Sequence, residues 1–156
     1  MLGDALALEL LLAAFAGGAF GAAVGALPAF TLTGVLVVVG ELYDLARETI
    51  APAAPELALT GSVAFGPVFG PHVSFGGGAA AVAYAAKRGY LDTDFDYHDA
   101  KEVTRGLGTR LDVLCVGGAF GVVGHLLKTG SALVLPLDPV AFGVVASALA
   151  HRLVFG

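Results

Sequence analysis

Residues 66–78 read GPVFGPHVSFGGG: two Gly-Pro pairs, a histidine, a serine and three successive glycines inside a long apolar segment. As one continuous helix at 1.5 Å per residue, the surrounding apolar run, residues 57–86, would be about 45 Å long, well beyond the roughly 30 Å hydrocarbon core of a bilayer. Pro67 and Pro71 each remove a backbone donor and clash with the preceding turn, and the flanking glycines weaken the helix further. The spacing therefore predicts a break between Gly66 and Gly78, with the two arms forming either a discontinuous span or a re-entrant hairpin.

The rest of the chain explains why a bilayer is the relevant yardstick. Of 156 residues, 57% are hydrophobic and 13% charged, and the mean hydropathy is +0.85, against roughly 45–50% apolar and 25% charged in a soluble domain. This is the composition of an all-α, polytopic integral membrane protein whose first partner is the lipid bilayer. Glycine is abundant, at 23 residues, and tryptophan is absent, which suits helices packed closely through small side chains. Ten-residue alternating segments with aromatic girdles, the mark of a membrane barrel, are missing. The N-terminus opens with Asp4 and Glu9 and no basic residue, so it reads as a retained span and not a cleaved signal. The lone Cys115 excludes an intrachain disulfide and reads as a small core residue. No basic cluster points to nucleic acid.

Five hydrophobic segments are expected, at about residues 5–27, 28–45, 57–86, 111–127 and 133–153. Pro28 suits the first turn of the second, and APAAPE, residues 51–56, is a proline-punctuated loop. Lys87, Arg88, Lys101, Arg105 and Arg110 all fall in the connection over residues 87–110, more than half of the eight basic residues. That bias makes the connection cytoplasmic in a cell-membrane protein, its acidic residues notwithstanding. In this connection Asp99 and Glu102 are expected to form a capping box opening a short helix. DTDFDYHD, residues 92–99, alternates carboxylates as a calcium loop does. However, Tyr97 stands where the turn glycine belongs and Val103 where the closing glutamate belongs, so no metal site is expected.

GGAFG occurs at Gly17–Gly21 and again at Gly117–Gly121, each copy followed by Leu-Pro and an Ala-Phe pair. The order suggests an internal two-helix repeat, at about residues 5–46 and 111–155, flanking the broken segment at about 57–87 within one transmembrane domain. If the broken segment crosses once the repeats are inverted, the architecture in which many transporters place a site at discontinuous helices; if it re-enters they are parallel. Gly17, Gly18, Gly21 and Gly25, with Gly117, Gly118 and Gly121, are the candidate helix-packing positions.

Irregular backbone at membrane depth survives only where protein or a water-filled cavity satisfies it, so residues 66–78 should face the interior. Ser74 is expected to cap the second arm, leaving the positive helix end open to an anion or carboxylate. Gly70, Gly76, Gly77 and Gly78 would allow close approach and His72 adds a titratable donor and acceptor. The competing reading of the same residues is a dry kink that only packs. His125, near the end of its span, reads as interfacial or structural. Thr31, Thr33, Thr60 and Ser62 are expected to bond to their own helix backbones.

LPAFTLTG, residues 27–34, together with FGPHVSFGGGAAAVAYAAKRGY, residues 69–90, resembles a poorly characterised family of small Gly-rich prokaryotic membrane proteins with archaeal members. That resemblance implies no activity. GGAFGAAVG is similar to the opening of small fluoride channels, but their Phe-Thr-Thr-Phe signature is lacking and the number of spans is wrong. The residues themselves point to a small-solute or ion channel or secondary transporter, a homo-oligomer with its site at the broken segment. The alternative is a structural or accessory subunit gripping other helices through its small-residue faces. No Ser-His-acid set, HExxH or paired carboxylate suggests an enzyme, and no cofactor is implied.

Overall fold

In the computed structural model, which describes residues 6–92 and 99–156, the chain is a bundle of α-helices with no strand among the described residues. Five α-helices follow in order among those residues: α1 Leu8–Val24, α2 Ala26–Thr49, α3 Ser74–Lys87, α4 Leu111–Val134 and α5 Pro139–Phe155. A π-helical turn at Thr60–Ala64 precedes α3, and a 3-10 turn, Asp99–Lys101, lies in the connection before α4. Helices α2 and α4, 24 residues each, are long and apolar enough to cross a membrane, while α1 and α5 are shorter apolar helices. The alternating carboxylates that resemble a calcium loop lie largely outside the described residues.

The third segment is broken, as the prolines require. Its π-helical turn gives way to turns through residues 65–73, and regular helix resumes at Ser74. Gly76, Gly77 and Gly78 lie in the first turns of α3, which begins at Ser74, close to the expected start of the second arm. Their role there is close approach. A Cβ on Gly77 would lie 2.5 Å from the Gly117 carbonyl oxygen and 2.6 Å from the Gly18 Cα, so α1, α3 and α4 meet backbone to backbone at one glycine junction.

The two GGAFG helices cross each other antiparallel. Going up α1, Ala14 meets Gly121, Gly18 meets both Gly121 and Gly117, and Ala22 meets Gly117. Gly118 instead lies under the ring of Phe15, and Gly17 and Gly21 face the third segment. Gly25 packs against the backbone of Thr104 and Arg105 and not against a helix: with φ 107° it forms the one-residue corner between α1 and α2, a conformation that L side chains rarely adopt.

That corner is closed by the connection. Leu107 and Gly108 donate N–H bonds to the carbonyls of Ala22 and Ala23 at the end of α1, and Leu27 N–H donates to the Val103 carbonyl. Orphan groups at both helix ends are thereby satisfied. This use of the backbone explains why the helix expected after Asp99 does not form: a single 3-10 turn is followed by irregular chain until Leu111. Tyr84 and Tyr90 donate to Asp112 Oδ2 at 3.3 and 2.9 Å, and the Arg110 guanidinium stacks 3.6 Å from the centre of the Tyr90 ring. Lys87 Nζ reaches the Val154 carbonyl. The C-termini of α1, α3 and α5 and the N-termini of α2 and α4 therefore share one end of the bundle, together with Lys87, Arg88, Lys101, Arg105, Arg110 and Arg152. We call it the basic end.

At the other end, the hydroxyl of Tyr43 donates to the Pro55 carbonyl and Thr60 Oγ1 to Glu41 Oε1, tying the proline loop to α2. Thr60 thus bonds a neighbouring carboxylate and not its own helix, whereas Thr31, Thr33 and Ser62 do bond their own backbones. Helix α4 continues seven residues past the expected end at Leu127, and α5 starts at Pro139 behind an N-cap, Asp138, whose carboxylate accepts the Ala141 N–H.

The distribution of side chains is the reverse of a soluble domain. Buried positions are held by Ala, Gly, Ser, Thr and His with a few Val, whereas Leu, Val and Phe side chains are exposed along α1, α2, α4 and α5. Cys115, expected in the core, is exposed on the outer face of α4, because the inner face there is claimed by Gly117, Gly118 and Gly121.

Candidate functional site

The break is held open by donors and by missing side chains. Thr33 Oγ1 of α2 and Ser74 Oγ of α3 both donate to the Phe69 carbonyl, and the Gly70 carbonyl accepts the N–H groups of Val73 and Ser74. On the opposite sides, a Cβ on Gly17, Gly21 or Gly124 would overlap the carbonyl oxygen of Val68, Ser74 or His72 respectively. Glycines of α1 and α4 thus receive the irregular backbone, bringing its carbonyls against Cα–H groups. Every one of these contacts is supplied by protein, as irregular backbone away from water demands.

Ser74 is not a cap. Its hydroxyl donates backwards, and no side chain caps α3. The N–H groups of Ser74, Gly76 and Gly77 are taken by the carbonyls of Gly70, Pro71 and Val73. An anion site built on a free α3 N-terminus is therefore not what this geometry offers.

A cavity of about 560 Å³ lies instead on the other flank of the break, between the start of α1, the π-helical turn and the C-terminal half of α4. Its polar wall is His72, His125, Lys128, Ser62 and Thr129. His72 is 1% exposed and is wedged between α4 and α5: its carbonyl sits on Gly124, and a Cβ on Gly143 would be 3.0 Å from its Cβ. Gly70 lies against the other side, where a Cβ would be 2.5 Å from the ring Cε1. Lys128 and His125 are its charged and titratable neighbours.

The residues expected at the site are thus divided. His72 lines the cavity; Gly70 positions the His72 ring; Ser74, Gly76, Gly77 and Gly78 pack against Gly21, Ser147, Gly18 with Gly117, and Ala26 respectively. Of the polar lining residues only His72 is among the positions the sequence singles out for a site; Ser62, His125, Lys128 and Thr129 are not. Lys-Thr-Gly-Ser looks like a loop, which puts Lys128 between helices and His125 at the end of a span; α4 continues through it, so both residues sit in mid-helix. A helical i, i+3 spacing on a strongly apolar helix was the available signal. A second cleft of about 470 Å³, bounded mainly by Phe30, Phe65, Pro71, Phe75 and Val144, is almost wholly apolar, its one charged lining residue being Asp138, the N-cap of α5. Among the described residues no group of three His, Cys, Asp or Glu side chains could hold a metal ion.

Fold and site together define a class: an all-helical protein with a glycine-packed, small-residue interior, an apolar exterior and a His- and Lys-lined cavity beside a broken segment. Over residues 1–156 the chain matches, and belongs to, the family of unknown function DUF7973. No curated protein and no solved structure matches it.

Proposed function

We propose that this is a multi-pass membrane protein that moves a small solute or ion, an anion or carboxylate by preference, through the cavity beside its broken third segment. One observation carries the reading: a buried histidine, a second histidine and a lysine converge on one cavity in a helical bundle whose outside is apolar. Ionisable groups in such a setting are expensive and mark solute pathways by default, and Lys128 supplies the charge that an anion requires.

The topology that goes with it has the basic end, including residues 87–110, in the cytoplasm. The segments then cross five times, the third being a discontinuous span made of the π-helical turn, the break and α3. The cavity opens toward the opposite face. In this arrangement the two GGAFG helices are the antiparallel cores of an inverted repeat. A homo-oligomer belongs to the same reading, since five short helices enclose little volume alone. The accessory-subunit alternative is the less supported reading, because Gly17, Gly18, Gly21, Gly117 and Gly121 have partners inside the chain and would not be free to grip another helix.

The test is accessibility. In a Cys115→Ala background, single cysteines at Ser62, His72 and Lys128 are treated with a membrane-impermeant thiol reagent from each side of sealed vesicles. Labelling from the face opposite the basic end, slowed by chloride or acetate, is expected. Labelling from neither side would overturn the cavity as a solute site.

A further inference from the structure

The polar wall of the cavity continues into the bundle along one stripe of α5. The buried residues of that helix are Gly143, Ser147 and His151, four residues apart and so on one face. Gly143 abuts the cavity, since a Cβ there would be 3.0 Å from His72 Cβ and 3.1 Å from Lys128 Cβ. One turn nearer the basic end, Ser147 is 0% exposed and faces Gly76 of α3, where a Cβ would lie 3.2 Å from its Oγ. A turn further, His151 is 6% exposed, with the Phe120 ring 6.2 Å away. His72 Nδ1, Ser147 Oγ and His151 Nδ1 are all buried without a hydrogen-bond partner among the described residues.

Each such group is costly to bury unsatisfied, and apolar residues would fill the same places more cheaply. Ser147 and His151 stand one helical turn apart on α5, and Gly143, one turn before Ser147, abuts His72, so the three orphaned groups lie in file along one flank of that helix, where bridging waters would satisfy them. The file starts in the cavity and ends under the rings of Phe120 and Phe155, beside which Tyr84 hydrogen-bonds Asp112 at the basic end. Lys128 and His125 of α4 are the charged and titratable neighbours of His72 and Arg152 is that of His151, while Tyr84, Lys87 and Asp112 lie beyond the aromatic rings at the basic end.

We propose that Ser147 and His151 pass protons between the His72 cavity and the basic end, so that H⁺ is the coupling ion of the transport reading above, on which this proposal rests. In each transfer an imidazole accepts a proton on one ring nitrogen and releases one from the other, while the serine hydroxyl accepts one and gives up its own. One proton has moved from end to end with no net change of charge on any group, and the imidazoles and the hydroxyl then reorient to restore the starting tautomers and hydrogen positions.

The full-length protein in liposomes, with a pH-sensitive dye inside, a chloride gradient supplying the anion and a valinomycin-set potassium potential, tests this. Proton flux above protein-free liposomes is expected, falling at least tenfold in Ser147→Ala and in His151→Gln. Ser147→Ala removes an orphaned hydroxyl and should fold at least as well as the parent, so it remains informative if the histidine variant does not fold. Parental flux in Ser147→Ala would overturn the route. Absent flux with His72→Cys still labelled by the thiol reagent would overturn the proton route alone; absent flux with no labelling would overturn the transport reading with it.

Discussion

The carbonyl of His72 occupies the place where Gly124 would carry a Cβ. Helix α4 can approach the break only because that position has no side chain, and the histidine is thereby turned toward the cavity. Gly124→Ala should lower stability by about 1–3 kcal/mol, the usual range for overpacking a core. Gly130 lies six residues along the same helix, and a Cβ added there would have nothing within 4 Å. It is the control: Gly130→Ala should be neutral or gain up to about 1 kcal/mol from helix propensity. Thermal unfolding of the purified proteins in detergent separates the two, and equal midpoints would remove the close contact from the account.

Thr33 and Ser74 share one acceptor, the Phe69 carbonyl. Either Thr33→Val or Ser74→Ala leaves that oxygen one donor and should cost about 1 kcal/mol. Removing both leaves it bare, so the double variant should cost more than the sum of the single ones. A double-mutant cycle on unfolding free energies measures the difference; simple additivity would mean that the two hydroxyls do not hold the break together.

Asp112 gathers two tyrosine hydroxyls and lies 3.5 Å from the Arg110 guanidinium. Asp112→Ala should loosen residues 88–110 from the bundle without affecting the cavity. Losing both tyrosine hydrogen bonds should make proteolysis of the connection faster, since cleavage there follows local opening. Unchanged cleavage would show that the closed corner at Gly25 alone retains it.

Gly18 touches Gly117 and Gly121 within one chain. Gly18→Leu should therefore abolish folding of the chain itself, seen as loss of monodisperse protein at any concentration. Were the GGAFG face an intermolecular grip, the variant would instead remain folded and lose only its assembly state. Size-exclusion chromatography with light scattering distinguishes these outcomes.

Much of the architecture was legible from residues 66–78 and the hydropathy around them. Proline removes a donor and blocks the preceding turn whatever surrounds it, so Pro67 and Pro71 determined that the third segment breaks. Apolar length determined that the chain is helical and carries helices able to span a bilayer, and the recurrence of GGAFG marked the helices that cross. These are properties of single residues and short spacings. Tertiary structure alone decided the rest, because it depends on what lies opposite. The glycine triplet at the start of α3 serves a three-helix junction, since Gly18 and Gly117 approach it from two other helices. Ser74 donates and does not cap, since the Phe69 and Gly70 carbonyls curl back over it. Lys128 and His125 join His72 because α4 runs on through a loop-like sequence, its interior face kept clear by glycines. Local chemistry sets where a chain can turn; which polar groups then meet is fixed by the backbone approaches that small residues permit.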